Sequence, residues 1–212
     1  AKVVRLVLRP RISVRGFLYS PVLLYLDTSG PQGVVALAEG GALLALRRAT
    51  NQRDHAAVLP GHVDAALSEA GKTLRDLCGV CVLAGPGSYT GLRIGLSMAK
   101  GYCYALGLPL MLQNGLHLLA LSAAQAGRWL ACLVVLPARA GEVFLAAYGP
   151  DAAILAAPRH ATDAEARQIF SSLPAGTTVC GSAEVAMRLG IGAETAGNEQ
   201  PALSVWLAEG HR

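Results

Sequence analysis

Two short stretches bring together residue types that could hold a phosphate. Gly85-Pro86-Gly87-Ser88-Tyr89-Thr90-Gly91-Leu92-Arg93 is a glycine-rich loop running into an apolar periodic segment. A loop entering a helix in this way points free backbone N–H groups, and the positive end of the helix dipole, at one spot where an anion can sit. Asp27-Thr28-Ser29 follows the apolar run Val22-Leu23-Leu24-Tyr25-Leu26. A carboxylate and two hydroxyls at a strand end stand where nucleotide-binding folds place a magnesium-directed acid and phosphate-directed hydroxyls. Asp27, Thr28, Ser29, Gly85, Gly87 and Ser88 are therefore the candidate phosphate site. The pattern also marks it as degenerate: a P-loop needs Gly-Lys-Ser/Thr after its glycines, and Gly-Ser-Tyr-Thr-Gly stands here instead. On pattern alone, Ser88 or Thr90 reads equally as the cap of the following helix. Asp27-Thr28-Ser29-Gly30 has the letters of an aspartic-protease motif, but no second copy exists to complete a carboxylate dyad.

The remaining reactive side chains form no such constellation. His55 and His62 are seven residues apart, on one helix side but two turns distant, too far to share a metal without other ligands. His117, His160 and His211 are isolated, so neither a metal site nor a nucleophile and base pair is expected. Cys78-x-x-Cys81 has no second pair to make a zinc site, and core packing is the expected role.

These residues need elements to position them. Val34–Ala38 and Ala42–Leu46 follow the first strand, with glycines at 30, 33, 40 and 41 turning the chain, which predicts a three-strand antiparallel meander. Apolar spacing of three and four from Asp54 to Ala70, closed by Gly71, predicts a helix. Strand Val80–Leu83, loop Gly85–Ser88 and helix Thr90–Leu106 come next, then strand-like Leu110–Leu112 and a helix over Leu116–Ala126. The pattern partly restarts with paired strands at Leu130–Leu136 and Glu142–Tyr148, a helix at Thr162–Ser171 and a strand at Thr177–Cys180. Two related α/β lobes are expected, 21–115 and a shortened 116–212. In the second helix Gly91, Gly95, Ala99 and Cys103 recur every four residues, a stripe of small side chains that admits either another helix closely or the protein's own sheet.

The 212-residue chain is 53% hydrophobic, enough to fill a large core, and no apolar run approaches the roughly 20 residues of a membrane span. Five cysteines, mostly inside apolar runs, favour a reducing compartment and hence cytoplasm. The formal charge of +4 is concentrated at the start: Lys2, Arg5, Arg9, Arg11 and Arg15 face no acid before Asp27, while the remainder carries 13 basic and 14 acidic side chains. Residues 1–20 read as a basic extension, most simply a start-site extension or an added arm packed locally, with a transit segment or an arm touching RNA phosphates as the alternatives.

Several motifs together carry a family resemblance. Leu24-Tyr25-Leu26-Asp27-Thr28-Ser29, Arg53-Asp54-His55 with Leu59-Pro60, Gly85 through Gly95, and Ala138-Arg139-x-Gly141-Glu142-Val143-Phe144 resemble TsaB in order and spacing, from about Val22 to Gly210. The resemblance implies a two-lobed fold of the actin-like, sugar-kinase and Hsp70-like ATPase (ribonuclease H-like) class. It implies a non-catalytic subunit of the machinery making threonylcarbamoyladenosine on tRNA, pairing with TsaD, joined by TsaE and supplied by TsaC. A homodimer when alone, contact with tRNA only through the complex, no membrane, no required cofactor and weak ATP or ADP binding at a degenerate site are implied with it. So is a partner interface on the two helices, comprising His55, Leu59, Val63, Gly91, Arg93, Gly95, Ala99 and Cys103. The chain departs from the family where Pro137 replaces an Asp, in its end at Arg212 without a Pro-x-Tyr-Leu-Arg segment, and in residues 1–20. Two other readings compete: an ATP-hydrolysing or phosphoryl-transferring enzyme of the same fold, and a glycoprotease-like peptidase. The first would want a carboxylate where Leu136-Pro137-Ala138 stands.

Overall fold

The computed structural model describes residues 5–6, 20–49, 55–126, 130–150, 153–191, 205 and 207. Backbone contacts divide it into two units, Lys2–Gln113 with Trp206–Arg212, and Asn114–Val205.

The first unit is a six-stranded sheet with helices on one face. β1 (Arg5–Leu6) lies in the basic extension. β2 (Val22–Asp27), β3 (Gly33–Glu39) and β4 (Ala42–Ala49) are the antiparallel meander, with Leu24 opposite Leu37 and Val35 opposite Arg47. Then follow α1 (His55–Glu69), a 3-10 turn at Leu74–Asp76, β5 (Leu77–Leu83), α2 (Tyr89–Leu106) and β6 (Leu110–Gln113). The order across the sheet is β1-β6-β5-β2-β3-β4, with β2, β5 and β6 parallel. Alternation sorts the strand residues by face. Leu24, Leu26, Val35, Leu37, Val80 and Val82 pack beneath Leu59, Val63 and Ala66 of α1 and Ala99 and Cys103 of α2. On the other face Tyr25 is fully buried and its hydroxyl donates to the carbonyl of Leu207 at 2.9 Å. Leu207 thus belongs with the first unit, whereas a lobe running over 116–212 would have placed it in the second; a buried phenol needs a partner, and the chain's end provides it.

The second unit repeats the plan on a smaller scale. α3 (Gly115–Ala126), β7 (Cys132–Pro137), β8 (Glu142–Tyr148), β9 (Ile154–Thr162), α4 (Asp163–Ser172), β10 (Thr178–Gly181) and α5 (Ala183–Leu189) follow in order. Its sheet order is β10-β7-β8-β9, again a meander with a later strand parallel to its first member. Leu116, Leu119 and Ala120 of α3 cover one face, against Cys132, Val134 and Tyr148. Ala166 of α4 and Val185, Ala186 and Leu189 of α5 cover the other, against Leu133, Val135, Val143 and Val179.

The start of α4 is held by a reciprocal cap. Glu165 accepts from the Thr162 backbone N–H at 2.7 Å and from its hydroxyl at 2.8 Å, and the Glu165 N–H donates to the Thr162 hydroxyl oxygen at 3.3 Å. The Thr162 backbone bond is the main reason the Glu165 carboxyl lies below its ordinary 4.5. A carboxyl lowered on folding stabilises the protein above its unfolded value, and that contribution disappears as pH falls through the lower folded value. Melting temperatures of Glu165→Gln and the parent should differ at neutral pH and converge only once pH has fallen through the lowered folded value. A gap that stays constant with pH would mean that the charge does not matter.

Candidate functional site

The carboxyl ends of parallel β2 and β5 lie side by side, which brings Asp27-Thr28-Ser29 against the loop between β5 and α2. Asp27 is 3% exposed, and its Oδ1 accepts from the Ser29 N–H at 2.8 Å and from the Ser29 hydroxyl at 2.6 Å. The carboxylate therefore stiffens its own strand end. Gly85-Pro86 is a cis peptide, and the loop then passes so close to Ser29 that the Ser88 N–H donates to the Ser29 carbonyl at 2.8 Å. Ser88 is the N-cap of α2, its hydroxyl oxygen accepting from the Gly91 N–H at 3.2 Å, which settles the choice between Ser88 and Thr90. Thr28 is fully buried beneath the first turns of α2, and its hydroxyl donates to the Gly91 carbonyl at 2.7 Å. Side chains would not fit there: a Cβ at Gly91 would run into the Thr28 carbonyl, one at Gly95 into the Thr28 hydroxyl, and one at Gly87 into Ser29.

The six candidate phosphate residues thus converge, but two of the donors an anion would use, Ser88 N–H and Gly91 N–H, already donate within the protein. Sequence reasoning missed Gln113. It ends β6 beside this loop, is 8% exposed, accepts from the Ala84 N–H at 2.8 Å through its backbone, and has a buried side-chain Oε1 without a hydrogen-bond partner. Its only signal was a polar residue closing an apolar strand. Among the described residues no three His, Cys, Asp or Glu side chains are grouped so as to hold a metal ion, and no helix is long and apolar enough to cross a membrane.

Most members of the expected partner interface are buried within the first unit. Gly91 and Gly95 close on Thr28, Ala99 and Cys103 face the sheet, and Leu59 and Val63 of α1 are fully buried in the same core. The stripe of small residues admits the protein's own β2 and β5, because a close crossing of helix over strand needs the same absence of side chains as a close crossing of helices. Only Arg93 of that set is exposed, stacked over the Tyr89 ring at 5.4 Å; the side chain of His55 lies outside the described residues. The outward side of α2 instead presents Tyr89 at 74% exposure, Arg93, Lys100 and Tyr104 at 86%. Those aromatics were legible as residues at helical spacing from Arg93 but were not singled out.

Comparison with known proteins bears on this geometry. The sequence model of the TsaD family, tRNA N6-adenosine threonylcarbamoyltransferase, matches residues 48–186. The chain belongs to this family. Within it the chain is TsaB-like: it is 30% identical over 128 residues to the tRNA threonylcarbamoyladenosine biosynthesis protein TsaB of Bacillus subtilis, a match covering 59% of this chain and 54% of that protein. An uncharacterised protein of Mycobacterium tuberculosis is 34% identical over 160 residues, 66% of this chain and 74% of its own length. A solved Pseudomonas aeruginosa protein, described as similar to peptidase YeaZ, superposes with a TM-score of 0.75 over 90% of each chain at 23% identity, and so shares the fold. That fold is the two-lobed actin-like, ribonuclease H-like class expected from the resemblance. Both units of the TsaB-like chain contain a meander with a later parallel strand beside its first member.

Proposed function

We propose that this TsaB-like chain is a non-catalytic subunit of the cytoplasmic machinery that makes threonylcarbamoyladenosine on tRNA, and that it binds and activates a TsaD partner. The observation that carries this reading is the closed loop. The helix entrance that would serve a nucleotide phosphate is occupied by the protein's own Ser29 carbonyl and Ser88 hydroxyl, with Thr28 packed beneath it. The same hydrogen bonds tie the start of α2 to the end of β2, which suits a helix that presents a surface more than one that works on a substrate. Similarity to the Bacillus TsaB supports the pathway assigned. ATP or ADP binds weakly at most, TsaE and TsaC act on the assembled pair, the chain alone forms a homodimer, and tRNA is met only through the complex.

The outer side of α2 is the part of this chain that meets TsaD. Tyr89, Arg93 and Tyr104 are exposed, and Tyr and Arg are the side chains that most often anchor interfaces. Calorimetric titration of the chain with TsaD from the same organism tests this directly. Replacing Tyr104 with Glu should weaken TsaD binding at least about tenfold, roughly 1.4 kcal/mol, with the melting temperature unchanged. Unaltered binding by the Tyr89→Ala, Tyr104→Glu double variant would remove α2 from the interface. ATP turnover by the purified chain that disappears in Asp27→Asn would overturn the non-catalytic reading itself.

A further inference from the structure

The second unit holds a pair of thiols that the proposed function does not use. Cys132 on β7 and Cys180 on β10 are 0% and 2% exposed, on the sheet face covered by α3, and their Sγ atoms are 2.8 Å apart. The other three cysteines are placed differently. Cys81 is buried with the Met111 thioether 3.9 Å away, Cys103 donates to the Pro109 carbonyl at 3.5 Å, and Cys78 is exposed beside the Asp76 carbonyl. Among the described residues this is the one place where two Sγ atoms are in contact.

We propose that Cys132 and Cys180 form a latent disulfide, closed by small peroxides, that staples the edge strand β10 to the centre of the second sheet. The register sets the geometry: Cys180 lies opposite Val134 and Cys132 opposite Thr178, so the two sulfurs come from diagonal positions on one face. Closing to a bond of about 2.05 Å asks for a further approach of under 1 Å between the sulfurs. β10 can provide it, because it has four residues and pairs with β7 alone. Two features keep the pair reduced until an oxidant arrives. The thiol–thiol hydrogen bond, and then burial, both hold Cys180 protonated, and a protonated, buried thiol is oxidised slowly.

The chemistry balances with peroxide as the only co-reactant. One sulfur gives up its proton and attacks a peroxide oxygen; the O–O bond breaks, and a sulfenic acid and one water result. The second thiol, already in contact, displaces the sulfenic hydroxyl, the S–S bond forms, and a second water leaves. Two thiols are oxidised by two electrons and one peroxide is reduced to two waters. Contact makes the second step faster than further oxidation of the sulfenic acid, so the pair should stop at the disulfide.

Intact mass and peptide mapping of the native protein test this, in a Cys78→Ser background that removes the exposed thiol and its intermolecular products. Under mild hydrogen peroxide the folded protein should lose about 2 Da. Trypsin should then release residues 129–139 linked to 168–188, and dithiothreitol should reverse both changes. The reading is taken on the unmutated pair, so it does not depend on a core substitution folding; Cys180→Ala, where it folds, should abolish the linkage. Oxygen adducts in place of the mass loss, a link to Cys81 or Cys103, or a bond that forms only after denaturant is added would each overturn the proposal.

Discussion

Gly91→Ala should cost about 3 kcal/mol of stability and lower the melting temperature by about 10 °C, although it adds one methyl group to a helix and alanine is the better helix former. The added Cβ would meet the carbonyl oxygen of Thr28, which is buried backbone just past the end of β2 and cannot swing aside as a side-chain tip can. The Thr28 hydroxyl bond to the Gly91 carbonyl, 2.7 Å long in a fully buried setting, would be displaced at the same time. Gly101 is an internal control on the same helix. It is exposed with open space around its Cβ position, so Gly101→Ala should stabilise by about 0.5–1 kcal/mol through backbone entropy and helix propensity. Opposite signs for two Gly→Ala changes ten residues apart, read by thermal or urea unfolding, would locate the close contact. A Gly91→Ala protein that melts normally would mean that α2 stands further from β2 than described here.

Gly181→Ala should have an effect at least as large in the second unit. Gly181 ends β10 with φ at +103°, a conformation L side chains rarely adopt, and a Cβ there would also collide with the Val135 carbonyl. That carbonyl accepts from the Ser182 N–H at 2.8 Å, and Ser182 caps α5, so strand end, cap and helix would be disturbed together. A loss of about 3 kcal/mol or more is expected, with amide exchange speeding up first in β10 and α5. Gly176 has positive φ with open space around it, and Gly176→Ala should carry only the conformational cost, about 1 kcal/mol. Equal effects at the two positions would show that the Val135 contact is unimportant.

The parts legible from sequence are those where a local rule and the fold agree. The meander was readable because Val22–Leu26 and Val34–Ala38 are apolar runs separated by glycine turns, and both faces of these strands are buried. α2 was readable from its periodicity and from Gly107, which closes it. β9 was not, because Ile154–Thr162 is an exposed edge strand carrying Pro158 and lacks the in-and-out alternation a reader would count. α5 was missed although Ser182 and Gly190 flank it as caps, since seven residues give too few turns for a period. The site divided in the same way. Residue types located Asp27, Ser29 and Ser88, but nothing local tells whether a glycine stripe on a helix faces a partner helix or the protein's own strand. That was decided by Thr28, sixty-three residues away from Gly91.

Four of the five thiols are buried, which leaves Cys78 as a chemically addressable point on the native protein. It stands near the beginning of β5, while Asp27 and the 85–88 loop stand at the far ends of the parallel strands. Five residue steps along the strand lead from Cys78 to Leu83, a span of roughly 17 Å at the usual rise. A maleimide dye or biotin placed there would be attached at a single defined position, away from the loop. The same handle would immobilise every molecule on a sensor surface in one orientation and give a fluorescent titration signal from otherwise unaltered protein.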